Sequence, residues 1–308
     1  MNTKALLWSV LFGFVFVLTG TEARAAAAQE PGRIVARGVK GKVTAREKTA
    51  DPSVNSVTVT NNYSDLHQGM VVTTEVNASV VLIFANGAVV NLGSDSILDI
   101  DTFTMEPGAP ELKPDTITDE PNISKTKINL TKGELVGKVA KLNRAGGSEF
   151  TVGTPVGAAG IRGTTFRIVY RPNGTGQAFF SLTTVEGSVE VELANGAAPI
   201  VAVGADQEVV LTSVTVNVDN VTGAVTIVLP AGTSVATQQS TAAVTQQVLA
   251  MVQTIVEATA NVTISTAGPT IVLDTPQNNN NQQQQPQQTE PGPQATQPQQ
   301  RTTSGDGR

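Results

Sequence analysis

Up to about residue 230 the apolar positions recur mostly with a period of two. The stretch Val54 to Thr60 alternates Val with Ser and Thr, the pattern of a half-buried strand. The run Val80-Val81-Leu82-Ile83-Phe84 passes into Ala85-Asn86-Gly87 and emerges as Ala88-Val89-Val90-Asn91-Leu92. An Asn-Gly pair between two apolar runs predicts a hairpin closed by a type I′ turn, whose two central residues both need positive φ. Asn195-Gly196 repeats the device, and Asn220-Val221-Thr222-Gly223 is a longer version between 214–218 and 224–229. Further strands are expected at 127–130, 134–139, 150–152, 165–170, 178–183, 188–193 and 200–203. Short strands at regular spacing with Gly punctuation predict an all-β domain.

A loose internal echo runs through it. Val39-Lys40-Gly41-Lys42-Val43, Leu135-Val136-Gly137-Lys138-Val139 and Val185-Glu186-Gly187-Ser188-Val189 share an apolar-x-Gly-x-Val pattern. Such segments, turning at Gly, suit solenoid-like rungs or a sandwich. Residues 104–121 carry four Pro and several acids with little apolar content, and are expected to be a surface insertion.

After Pro230 the period changes. Val244, Val248, Met251, Val252 and Ile255 fall on one stripe of an amphipathic helix over about 240–258. Strands at 262–264 and 271–273 complete a small α+β segment over 213–275, with the stripe packed on a sheet or offered to a partner helix. From Pro276 the chain is almost all Asn, Gln and Pro, so 276–308 is expected to be a disordered tail.

The N-terminus has the layout of a secretory signal peptide: Lys4, an apolar run from Ala5 to Leu18, and small residues around Ala23-Arg24-Ala25 and Ala26-Ala27-Ala28. The apolar run falls short of the ~20 residues of a membrane span. Cleavage is expected after Ala25 or Ala28, leaving no stable membrane anchor. The mature protein would then work in the periplasm, on the cell surface or outside a bacterium.

Composition narrows the chemistry. Apolar residues make up 40% of the 308, enough for a core, but charged residues only 15%. The net charge of −6 and the lack of a basic patch speak against nucleic acid as a partner. With no Cys and one His, thiol catalysis, disulfides and multi-histidine metal sites are excluded. His67, in Asp65-Leu66-His67-Gln68-Gly69, has Asp65 nearby but no G-x-S-x-G nucleophile motif to serve. Asp99 and Asp101 share a strand face with Asp95 close by. That grouping allows a Ca²⁺ reading but lacks a calcium loop, so a solvated strand face is expected. No cofactor motif appears, and no enzyme activity is expected. A hydrolase using two facing carboxylates is a remote alternative.

The most specific stretch is Thr154-Pro155-Val156-Gly157-Ala158-Ala159-Gly160-Ile161-Arg162-Gly163-Thr164-Thr165-Phe166. Pro155 holds Thr154 extended, and the glycines permit bends or close strand approach. Arg162, between Ile161 and Gly163, is expected to be buried, held by backbone carbonyls or by a carboxylate such as Glu186. Its function would then be structural, the alternative being an anion or partner contact.

This stretch, with Gly187-Ser188-Val189-Glu190-Val191 downstream, resembles the extracytoplasmic FecR domain family, named after the ferric-citrate regulator. Leu82 to Gly93 and Leu130-Thr131-Lys132-Gly133-Glu134-Leu135 look like further segments of that family. The resemblance covers about 39–211. It implies a mainly β, solenoid-like or sandwich domain over 29–212, without enzymatic activity. Thr154, Pro155, Gly160, Arg162, Gly163, Thr164 and Phe166 would be its structural hallmark. In founding members the domain relays a signal from an outer-membrane transporter to a cytoplasmic sigma factor. Only four residues precede the apolar run here, so no sigma-factor contact is expected. The function expected is an exported interaction module binding an envelope protein or glycan, with a structural or surface-assembly protein as the alternative.

Overall fold

Two β-layers sharing one core account for the period-two patterning. The structure, a computed structural model, describes residues 28–49, 55–107, 113–194, 200–218, 225–229, 235–265 and 270–273. The expected leader, the Asn195-Gly196 turn, the Asn220 to Gly223 loop and the tail from Pro276 lie outside them.

The first layer runs β4 (Val57–Thr58), β3 (Val43–Glu47), β5 (Met70–Thr74), β8 (Ser96–Met105), the first half of β9 (Ser124–Lys138), β10 (Glu149–Thr154), β11 (Gly157–Ile161), β14 (Ser188–Leu193) and β15 (Val201–Gly204). A short β1 (Glu30–Pro31) adds to the far end of β8. The second layer runs β2 (Ile34–Lys40), β6 (Ser79–Phe84), β7 (Val89–Leu92), the second half of β9, β12 (Thr165–Pro172), β13 (Gln177–Glu186) and β16 (Gln207–Val218). β17 (Val225–Val228) and β18 (Gln238–Gln239) flank β16. Phe84 of the second layer meets Phe103 and Phe150 of the first edge-on, with ring centroids 5.1 and 6.3 Å apart.

β9 was expected as two strands, at 127–130 and 134–139. It is one strand bent at Gly133, which has φ +103°. The bend changes which residues face inward: Thr126, Ile128 and Leu130 before it, Leu135 and Gly137 after it. A side chain on Gly133 would overlap Ser96.

The chain passes between layers again and again, and seven of these crossings turn at a residue with positive φ: Gly41, Asn77, Asp95, Gly133, Gly163, Gly187 and Asp206. In the first half the corners stack: the Asn77 N–H donates to Ser94 Oγ at 2.8 Å, beside Asp95. In the second half they stack at the opposite end of the layer. The reason is that β12 runs antiparallel to β9, with Thr165 beside Lys138 and Tyr170 beside Gly133. The parallel β9–β10 pair is the seam between these halves. Two members of the apolar-x-Gly-x-Val echo, at Gly41 and Gly187, are such corners. The third, Gly137, lies inside β9 beneath the Phe166 ring.

Local departures from expectation have local causes. The Asn86 hairpin forms between β6 and β7, but Gly87 alone has positive φ, with Gly87 N–H donating to Phe84 O and Phe84 N–H to Ala88 O. Asn86 is turned inward instead, donating to Ser124 Oγ (2.9 Å) and accepting from the Ala88 N–H (3.1 Å). Of the Val54 to Thr60 stretch the structure describes 55–60, and among these described residues only Val57–Thr58 forms a strand, on the edge of β3.

α1 (Ala242–Thr259) begins at Thr241, whose hydroxyl accepts from the Val244 N–H. It packs on the outer face of β2, β6, β7 and β9 through Val248, Ile255 and Ala258. The expected stripe is therefore spent on the protein's own sheet. This cover also explains why 80–84 is apolar throughout: Val81 and Ile83 face the helix side while Val80, Leu82 and Phe84 face the core. β16 runs across residue 212, so the strand system continues into the segment expected to be α+β. A hairpin of β19 (Val262–Ser265) and β20 (Thr270–Leu273) follows α1.

Candidate functional site

The hallmark stretch forms a hairpin and the corner after it. Pro155 sits in the turn between β10 and β11, where no N–H is required. The Thr154 hydroxyl accepts from the N–H groups of Val156 (3.2 Å) and Gly157 (3.3 Å) and donates to Gly157 O (3.0 Å). Gly160 lies mid-strand opposite Thr151 and Glu190. Gly163 turns the corner with φ +84°, pressed against Lys141. Thr164 is buried, its carbonyl accepting from the Val139 N–H and its hydroxyl lacking a partner among the described residues. Phe166 is fully buried over Gly137.

Arg162 departs from expectation. Its side chain is 37% exposed and pairs with Glu190, not Glu186. Glu190 reaches it because β11 and β14 pair with Gly160 opposite Glu190, so both side chains leave the sheet side by side at the corner. Placed past the last strand residue, the guanidinium escapes to solvent instead of being wrapped by the glycines.

Beside this corner opens a pocket of about 560 Å³. Its floor includes one row across four strands: Val89 of β7 opposite Lys138 of β9, Lys138 opposite Thr165 of β12, and Thr165 opposite Glu186 of β13. Register partners point the same way, so these four side chains share the outer face of the second layer. Ile255, Val256 and Thr259 of α1 line it from above, and residues 114–118 of the insertion and 139–141 form the walls. Thr165 donates to Glu186 Oε2 at 3.4 Å. Among the described residues, half-buried Lys138 has no carboxylate partner.

The insertion is fastened where it walls the pocket. Lys141 N–H donates to Thr118 O, and Glu120 N–H to Lys141 O. The Glu120 carboxylate accepts from the Ser124 hydroxyl, from Ser148 and from the Asn143 N–H (3.2 Å). Burial pushes its pKa above the usual carboxylate range, against the pull of those hydrogen bonds. This segment, expected to be a plain surface loop, is thus partly built into the body, and β8 occupies its start through Met105.

The other sequence candidates are engaged elsewhere. Asp99 is buried, not solvated, and pairs with Lys48 at 2.6 Å; Asp101 meets Lys48 at 3.2 Å and Lys127 at 3.0 Å. Lys127 first, and Lys48 with it, hold the Asp101 pKa below the ordinary value; hydrogen bonding to Asp99 raises that of Lys48. Asp95 pairs with Lys132 at 2.7 Å. His67 Nε2 lies 3.2 Å from Glu47, while Asp65 faces Arg33 at 3.8 Å, so His67 and Asp65 form no dyad. Among the described residues no group of three or more acids and histidines is placed to hold a metal ion, and no helix is long and apolar enough to cross a membrane.

Sequence reasoning missed Lys138, Lys141, Thr165, Glu186 and Ile117 as pocket residues. They come from segments up to 69 positions apart and meet through strand register, which a single sequence leaves open. The usable signal was Lys138 closing an apolar strand.

The family model described as FecR protein matches residues 70–190. No curated protein matches the chain. Two crystal structures from Parabacteroides distasonis, each described as a candidate anti-sigma factor, are similar to it. One is 14% identical over 59% of this chain and 64% of its own, with a TM-score of 0.37. The other is 13% identical over 62% and 74%, with a TM-score of 0.36. The chain thus spans under two thirds of the first structure's length.

Proposed function

We propose that the protein, whose residues 70–190 match the family model described as FecR protein, is an exported, non-enzymatic interaction module of a bacterial envelope, binding a protein partner at the pocket beside the Gly163 corner. One observation carries this reading. The charged groups that suggested chemistry are already spent on one another: Asp99 and Asp101 on Lys48, Asp95 on Lys132, His67 on Glu47. The pocket offers threonine hydroxyls, apolar side chains, lysines and the carboxylates of Asp115 and Glu186, a surface for contact. Export is supported by the leader pattern at residues 1–28.

The test is capture followed by reconstitution. Immobilised mature protein is incubated with solubilised envelope, and any retained protein is purified and titrated back. Saturable binding of that protein to the mature chain supports the reading. Turnover of a peptide or glycan by the purified chain, or failure of residues 1–28 to export a fused alkaline phosphatase, overturns it.

A further inference from the structure

The pocket has a polarity of its own, and it narrows the choice of occupant. Lys138 is half-buried at the end of β9 with no carboxylate at ion-pair distance among the described residues, and Lys141 lies three residues on in the same lining. A partly desolvated ammonium without a partner is an unmet demand for an anion. The remaining charges limit how negative that anion can be. Glu186 lies two strands along the row from Lys138, Asp115 belongs to the wall segment fastened to Lys141, and α1 ends at the pocket with its carbonyl-bearing terminus near Thr259. A phosphate or other polyanion would meet repulsion from all three. A single carboxylate at the lysines carries less charge than a phosphate, and N–H donors following it toward Glu186 turn that carboxylate into an acceptor.

Between the charged ends the lining is apolar: Ile117, Val139, Ile255 and Val256, the last 42% exposed on the helix surface. A cavity of about 560 Å³ suits a few residues and not a folded surface. A polypeptide C-terminus with an apolar last residue has this sequence of features: carboxylate, apolar side chain, then N–H groups.

We propose that this pocket captures the C-terminal carboxylate of a partner protein, with Lys138 and Lys141 on the carboxylate, Glu186 on the peptide N–H groups, and the last side chain against Ile117, Ile255 and Val256. The proposal rests on the interaction-module reading and names its partner chemistry.

The probe is the N-acetylated hexapeptide Gly-Ser-Gly-Ser-Val-Leu with a free C-terminal carboxylate. It is titrated by calorimetry into the full exported chain, beside the C-terminal amide of the same peptide and free leucine. The free acid should bind saturably, with the amide and free leucine at least tenfold weaker. Lys138→Gln should weaken the acid at least tenfold and bring acid and amide together. Should Lys138→Gln fail to fold, Lys141→Gln and Val256→Glu, both at exposed positions, take its place with the same expectation. Equal binding of acid and amide, free leucine binding as well as the peptide, or no binding of the acid by folded wild type each overturns the proposal. If Val256→Glu still binds a reconstituted envelope partner at wild-type strength, this pocket is refuted while the interaction-module function stands.

Discussion

Gly187 rests on the main chain of Gly163: a Cβ placed on Gly187 would lie 2.5 Å from the Gly163 carbonyl oxygen and 2.6 Å from Thr164 Cγ2. Two corners, one leaving β11 and one leaving β13, are therefore in direct backbone contact, and both have positive φ. Gly163 of the hallmark stretch and Gly187 downstream serve this back-to-back packing and not the enclosure of an arginine.

Gly187→Ala combines an unfavourable backbone conformation with overlap against main-chain atoms that have little room to give. A loss of about 2–4 kcal/mol is expected from urea denaturation. Gly160→Ala is the control inside the same stretch. Its φ is ordinary for any residue, and the nearest atom to a new Cβ is Glu190 O at 3.8 Å. It should be neutral or stabilising by up to about 1 kcal/mol. Equal losses for the two variants would place the demand for glycine somewhere other than the corner.

Arg162→Ala separates a surface ion pair from a buried one. The pair with Glu190 is more than a third exposed on both sides, so solvent screens it and its loss should cost no more than about 1 kcal/mol. Arg167 is the contrast. It lies 2.6 Å from Glu134, the two side chains being 14% and 17% exposed, and Arg167→Ala leaves a largely buried carboxylate with only the longer contact to Arg171. It should cost about 2 kcal/mol or more. A loss at Arg162 as large as that at Arg167 would restore a buried role for the hallmark arginine.

What was legible in the chain was period and punctuation. The alternation of β12 at Phe166, Ile168 and Tyr170, the hairpin at Asn86-Gly87 and the stripe Val248–Ile255 each follow from local chemistry. What was not legible depends on register and on which layer a strand joins. Arg162 between Ile161 and Gly163 looks buried when neighbours in sequence are taken as neighbours in space. Pairing with Glu190 is decided by the offset of β14, 28 positions away. The Lys138–Thr165–Glu186 row has the same origin, and no residue in it carries a motif of its own.

Acid should shift stability in two opposed ways that can be told apart by mutation. Burial raises the folded-state pKa of Glu120, so the folded protein holds that proton more tightly than the unfolded chain. The stabilisation is complete below the unfolded pKa and is lost as pH rises through the folded one. Asp101 is the reverse: its folded pKa is lowered, so its contribution is present above the unfolded value and lost as pH falls through the folded one. Relative to Glu120→Gln, wild type should gain stability between pH 7 and pH 4.5. Relative to Asp101→Asn, it should lose stability from pH 5 to pH 2. Denaturation at each pH reads both, and a pH-independent difference for Glu120→Gln would mean its carboxylate is solvated.

α1 lies beyond the family segment yet caps its second layer, and two adjacent residues distinguish a structural cap from a surface. Ile255 is 2% exposed against β9 and β7, whereas Val256 is 42% exposed at the pocket mouth. Truncating Ile255 to Ala leaves a void between helix and sheet that neither can collapse to fill, at about 2–4 kcal/mol. Truncating Val256 to Ala removes little buried area and improves helix propensity, so the change should stay within about 0.5 kcal/mol. If Ile255→Ala melted like wild type, α1 would not be part of the folding unit, and the pocket it roofs would have to be open in solution.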